Sequence, residues 1–186
     1  PSGGADVLMG SIVTRDRALH LQLKDVHAQL GVGIADNDAE LVLRNLPTLL
    51  LRYQQQDQNA RQLAEWLANQ PQIAQVLHPA RPDNTGYAEW LAVCGRTDLA
   101  AGLFSVIFRA AISQAQVDGF CDALRLFKIG FSWGGPISLV MGYNVQAIRL
   151  QQPAHLQHGC LVRLSIGLEN LNDLQQDLAQ ALLSLQ

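Results

Sequence analysis

Arg163 stands in an otherwise apolar run, Cys160-Leu-Val-Arg-Leu-Ser-Ile166. Alternation along an extended chain puts Cys160, Val162, Leu164 and Ile166 on one face and Leu161, Arg163 and Ser165 on the other. A guanidinium offered from a strand suits a carboxylate, which it can hold with two parallel hydrogen bonds. The same spacing also allows an exposed arginine, or one paired inside the chain. Phe131-Ser132-Trp133-Gly134-Gly135 brings a double glycine to the end of an apolar segment. Two glycines let a backbone approach a ligand closely, or simply turn the chain. His155-x-x-His158-x-Cys160 has the spacing of metal ligands. A structural zinc normally takes four, and no second pair lies nearby, so a solvated loop pair is the simpler reading. Pro1-Ser2-Gly3-Gly4 lacks the Gly-Lys-Ser/Thr of a phosphate loop and reads as a turn. Cys94, Cys121 and Cys160 have no charged sequence neighbours that would argue for an activated thiolate.

The elements that would position these residues follow from periodicity. Val7 to Val13 is a short apolar run that predicts a buried strand. A helix is expected from Arg15 to about Gln29, stopped by Gly31 and Gly33, and a second from Asp36, with Asn37 as cap and Glu40 three residues on. A long helix from Thr48 to Asn69 is polar on all faces between Gln54 and Arg61, a pattern expected of a helix bridging two bodies. Strands are expected at Ile73–Leu77, Leu103–Phe108, Leu126–Phe131 and Cys160–Ile166, and His78 to Gly86 is a loop. Residues 87–93 form a short helix, and Ser113-x-x-Gln116 caps another with Val117, Phe120 and Leu124 on its buried side. The last helix starts near Asn170 and carries the stripe Leu171, Leu174, Leu178, Leu182, Leu185. The pattern is that of an α+β domain.

The chain has 186 residues, 48% of them hydrophobic and 16% charged, enough to bury a sizeable core. Its formal net charge is −3, and only Lys24 and Lys128 are lysines. No clustered basic surface is suggested, so nucleic acid and anionic membranes are not expected partners. No apolar run reaches the roughly 18 residues of a membrane span. Three well-separated cysteines do not make a disulfide framework, and a cytoplasmic location is expected. Pro1 onward carries no signal-peptide pattern, which leaves a processed start or a piece of a longer protein.

Several segments, in order, resemble the Cys/Met-metabolism family of pyridoxal-phosphate (PLP) enzymes, and cystathionine β-lyases in particular. They are Gly4-Ala-Asp-Val-Leu-Met-Gly10, Ala64-Glu-Trp-Leu67, His78-Pro79, Gly102-Leu-Phe-Ser105, Leu126-Phe-Lys-Ile-Gly-Phe-Ser-Trp-Gly-Gly135 with Ser138-Leu139, and Leu161-Val-Arg-Leu-Ser-Ile-Gly-Leu-Glu169 with Asp173-Leu174. The resemblance implies the C-terminal part of a fold-type-I PLP enzyme of the α/β class. Residues 1–46 would then be a C-terminal remnant of the large cofactor domain, and residues 47–186 the small domain. It implies that Arg163 grips the substrate α-carboxylate, with Ser132 and Trp133 bordering it. The Schiff-base lysine would lie in a Thr-Lys-Tyr motif just ahead of Pro1, so no catalytic or cofactor-binding residue is expected in this chain, and it would be inactive alone. It further implies PLP as cofactor, an amino-acid thioether such as cystathionine as substrate, and a homotetramer when whole; the alternatives are another branch of the family (γ-lyase, γ-synthase or sulfhydrylase) or a non-enzymatic domain that keeps the fold. Phe131 and Pro136 depart from the family pattern beside the substrate pocket. Lys128 is expected to pair with a nearby acid rather than to carry the cofactor.

Overall fold

The computed structural model describes residues 1–95, 98–149, 151 and 153–185. The chain forms two compact units, Pro1–Leu49 and Leu50–Gln186. Among the described residues no helix is long and apolar enough to cross a membrane.

The first unit holds helices α1 (Arg17–Leu30) and α2 (Asp36–Asn45), followed by a 3-10 turn at Leu46–Thr48. Asp16 starts α1 by accepting from the amides of Ala18 at 2.7 Å and Leu19 at 3.0 Å, which a free helix end requires. Gly31 ends it in the left-handed region, φ 62°, as expected of a glycine stop. α2 differs from expectation. Ala35, not Asn37, is its cap and makes no side-chain bond; Asp36 and Asp38 instead place negative charge in the first turn. The strand expected at Val7–Val13 is not formed. Leu8, Ile12 and Val13 are 101%, 77% and 90% exposed. A strand needs a hydrogen-bonded neighbour, and the first unit has none among its described residues.

The second unit opens with α3 (Leu49–Ala68) and continues β1 (Ile73–Leu77), α4 (Tyr87–Cys94), β2 (Leu103–Phe108), α5 (Gln114–Ala123), β3 (Lys128–Ile129), β4 (Leu139–Tyr143), α6 (Val145–Ile148), β5 (Leu161–Ser165) and α7 (Leu171–Leu182). The strands form one five-stranded sheet in the order β1-β2-β5-β4-β3. All pairs are antiparallel except β3 with β4. Register aligns Phe104, Leu164 and Val140 in one row and Ser105, Arg163 and Met141 in the next. Phe104, Leu164 and Val140, with Val106 and Val162, belong to the core. α5 and α7 complete that core with Val117, Phe120, Leu174, Leu178 and Leu182, as their apolar spacing predicts. Ser113 and Gln116 form the expected capping box of α5.

The middle of α3 is not solvated on all faces: Gln56, Asp57 and Asn59 are buried with Ala60, Leu63 and Leu67, while Gln54, Gln55 and Gln58 are exposed. The expected strand at Leu126–Phe131 shrinks to Lys128–Ile129 for a hydrogen-bonding reason. The backbone amides of Arg125 (2.9 Å) and Leu126 (2.7 Å), and more weakly of Phe127 (3.4 Å), donate to the buried carboxylate of Asp177 on α7. Those donors are then lost to any sheet ladder. Among the described residues Lys128 pairs with no acid; its Nζ donates to the Arg125 carbonyl at 2.7 Å. Removing the carboxylate would leave three amides without their acceptor. Asp177→Ala is expected to cost about 2–4 kcal/mol of unfolding free energy, read from urea denaturation.

His78 is 1% exposed, with its ring 5.9 Å from that of Phe104 and its Nδ1 accepting from the Ala80 amide at 3.2 Å. Burial, with the Arg61 guanidinium second, pushes the imidazole down from its ordinary 6.5 to about 4. In the unfolded chain the same ring takes up its proton near 6.5. Between the two values the unfolded state binds more protons, so stability present above pH 6.5 is lost as pH falls toward 4. The urea midpoint is expected to drop across that window. His78→Asn, whose Oδ1 can replace Nδ1 as acceptor, is expected to flatten the drop.

Candidate functional site

Arg163 sits on β5, the middle strand of the sheet, with Ser105 and Met141 as its neighbours across the ladder. The apolar residues on either side, Val162 and Leu164, are 0% and 1% exposed, which fixes the strand and turns Arg163 to the opposite face. Its side chain reaches the segment after β3. Nη2 donates to the carbonyl of Phe131 at 2.7 Å and lies 3.2 Å from that of Gly130 and 3.3 Å from that of Ser132. The rings of Trp133 and Tyr143 flank the guanidinium, each centroid 5.9 Å from Cζ. At that distance an aromatic face attracts the cation. Among the described residues Arg163 makes no ion pair, and its hydrogen bonds all leave from Nη2. The N–H groups of Nε and Nη1 therefore remain as donors on a cation already held in place. An anion approaching it would meet fixed charge rather than a mobile side chain.

The structure thus brings together the three residues singled out in the sequence. Ser132 contributes its carbonyl; Trp133 contributes its ring and is 63% exposed. The internal pairing of Arg163 is to carbonyl oxygens and not to an acid. Uncharged partners leave its positive charge unneutralised.

The segment from Gly130 to Ser138 is held at several points. β3 fixes its start, where the Gly130 amide donates to Val140 at 3.1 Å. The Gly134 amide donates to Ser165 Oγ at 3.3 Å, and the Gly135 carbonyl accepts from Gln56 Nε2 at 2.7 Å. Glu169 closes the other end. Its carboxylate accepts from the Ser138 amide at 2.7 Å and the Ser138 hydroxyl at 2.8 Å, while Ser138 Oγ accepts from the Gly167 amide at 2.9 Å. Asn59 Nδ2 donates to the Glu169 carbonyl at 3.2 Å. Gly167 has no room for a side chain: a Cβ there would overlap the Pro136 carbonyl and lie 2.5 Å from Glu169 Oε2. That approach allows the Leu168 amide to donate to Pro136 at 2.8 Å.

Sequence reasoning assigned no role to Gln56, Asn59, Ser138, Tyr143 or Glu169. A signal was present for the first two. Gln56 and Asn59 precede Ala60, Leu63 and Leu67 at helical spacing, so they share the buried side of α3. Ser138 and Glu169 stood out only as parts of the motifs that carry the resemblance, and Tyr143 gave no signal, because its partner comes from β5.

The other candidates fall elsewhere. Among the described residues no group of three His, Cys, Asp or Glu side chains could hold a metal. His155 and His158 are exposed, the His155 carbonyl is tied to Gln75 Nε2 at 2.9 Å, and Cys160 Sγ lies 3.9 Å from the Ile112 carbonyl. Burial pushes the Cys121 thiol up to about 12, so it is no nucleophile at neutral pH.

Comparison with known proteins gives a consistent family. Residues 2–183 match the family described as Cys/Met metabolism PLP-dependent enzyme. A cystathionine beta-lyase of Bordetella avium is 37% identical over 180 residues, covering 97% of this chain and 44% of its own length. Solved structures agree. A methionine gamma lyase from Micromonospora echinospora superposes with a TM-score of 0.80 at 32% identity, over 97% of this chain and 46% of the other. A cystathionine gamma synthase from Xanthomonas oryzae, in complex with cystathionine, does so with a TM-score of 0.81 at 32% identity, over 98% and 47%. The chain spans less than half the length of these relatives. Its fold, the motif around Arg163 and the match over nearly all its residues place it in the Cys/Met-metabolism family of PLP-dependent enzymes.

Proposed function

We propose that this chain forms the substrate-carboxylate side of a PLP-dependent carbon–sulfur lyase that cleaves cystathionine by α,β-elimination to homocysteine, pyruvate and ammonia. The observation that carries the reading is Arg163, a guanidinium fixed by three backbone carbonyls with Nε and Nη1 still free to donate. Arg163 would take the α-carboxylate of the amino acid, with Ser132 and Trp133 forming the border of that position. Holding the carboxylate fixes which Cα bond stands across the cofactor plane, and orientation of that kind removes much of the entropic barrier. When bound, PLP supplies the electron withdrawal from Cα.

On this proposal the chain serves the substrate's carboxylate, and Lys128, whose Nζ is engaged by the Arg125 carbonyl, is not the Schiff-base lysine. In this reading the cofactor lysine belongs to a Thr-Lys-Tyr motif ahead of Pro1, the chain alone does not turn over substrate, and the whole protein is a homotetramer. Residues 1–46 belong to its large domain and residues 47–186 to its small one.

A second reading, β- against γ-chemistry, is favoured by relatives named cystathionine gamma-synthase at 34% identity and by the methionine gamma lyase structure at 32%. The whole protein, supplied with cystathionine, is expected to release pyruvate; α-ketobutyrate as the sole keto acid would sink the β-lyase reading. In the same protein Arg163→Ala is expected to lower kcat/KM by roughly ten- to a hundredfold, the worth of one or two charge-assisted hydrogen bonds, while leaving PLP affinity nearly unchanged. Equal loss of substrate capture and PLP binding would count against the assigned role.

A further inference from the structure

Gln56 lies in the middle of α3 and is 8% exposed. A buried amide costs free energy unless it is used, and this one is spent on a distant partner, the Gly135 carbonyl, 79 residues away in sequence. Its place is fixed from behind: Gly102 packs so closely that a Cβ there would stand 3.1 Å from Gln56 Cβ. The partner belongs to the double glycine of the segment around Arg163. Gly134 is in the left-handed region at φ 74°, and Gly135 follows it, so two residues with little steric restriction meet at one turn. Without an outside anchor such a turn samples many conformations. The carbonyls that hold Arg163 Nη2 belong to Gly130, Phe131 and Ser132, immediately before that turn.

We infer that Gln56 is a positioning residue for the Arg163 site: its amide fixes the Gly134–Gly135 turn, and the fixed turn sets where the Gly130–Ser132 carbonyls hold the guanidinium. The use of that site for a carboxylate rests on the proposed function; the positioning itself does not. Asn59, one turn further along α3, grips the Glu169 carbonyl, so the same helix face steadies the second anchor of the segment. Gln56 acts through Arg163 and does not itself touch substrate.

The test uses the whole protein that carries this chain and the Arg163 Nε–H resonance, with sodium acetate as the carboxylate probe. Gln56→Met keeps the length of the side chain and removes the donor. Gln75→Met is the matched control, since Gln75 Nε2 likewise donates to a distant backbone carbonyl, that of His155 at 2.9 Å. Urea midpoints measured in parallel separate loss of stability from loss of position. Gln56→Met is expected to shift and broaden the Arg163 signal in the free protein and to weaken acetate binding roughly tenfold. Gln75→Met is expected to leave both unchanged. Should Gln56→Met not fold, Gln56→Asn, one methylene too short to reach Gly135, takes its place. An Arg163 signal indifferent to Gln56 substitution, or equally disturbed in Gln75→Met, would overturn the inference. A wild-type Arg163 signal that ignores acetate, yet moves on Gln56 substitution, would instead overturn the carboxylate reading and leave the positioning role standing.

Discussion

The carboxylate of Glu169 ties the turn after β5 to the segment ahead of β4, at the end of the ladder that pairs the two strands. It takes both donors of Ser138, ahead of β4, while sitting just past the end of β5. Ser138 is fully buried, so its amide and hydroxyl must be paired somewhere. Pairing both on one charged acceptor makes strong bonds and leaves little freedom. The turn at Gly167, the close approach of Pro136 and the bond from Asn59 all presuppose this junction. With it closed, the segment from Gly130 to Ser138 has a defined path over the face of the sheet that carries Arg163.

Asp177 acts by the same physics at the other end of that region. It gathers backbone amides from Arg125 to Phe127 and so anchors the approach to β3. One acid on the turn after β5 and one on α7 therefore bracket the segment that surrounds Arg163. Gln56 adds a neutral anchor between them. A guanidinium held this way is surrounded by carbonyl dipoles and aromatic faces, none of which cancels its charge. The fold thus keeps a cation in place without neutralising it, which a carboxylate-binding site needs.

Several elements were legible in the sequence because their information is local. The β2 run, the capping box of α5 and the leucine stripe of α7 each declare themselves within a few residues, and the structure forms all three. The alternation at Cys160–Ile166 correctly separated Arg163 from the Val162 and Leu164 face. The failures share a cause. Val7–Val13 has strand composition but no strand to pair with among the described residues of its unit. Leu126 and Phe127 have strand composition too, but their amides go to Asp177. The middle of α3 looked solvated because its residues are polar, whereas their partners are backbone groups far along the chain. β4 was not recognised at all; its pairing with β5 is non-local.

The sequence by itself determined the α+β class, through residue types and their spacing, and the family, through its resemblance, which also singled out Arg163, Ser132 and Trp133 as a candidate set. Only the tertiary structure decided that Arg163 is paired to carbonyls through one nitrogen, that Tyr143 joins Trp133 beside it, and that Gln56, Ser138 and Glu169 hold the surrounding segment. Those facts depend on which donor meets which acceptor across separations of 31 to 79 residues. Burial forces every such group to find a partner, but which partner it finds is settled only when the sheet has closed around it.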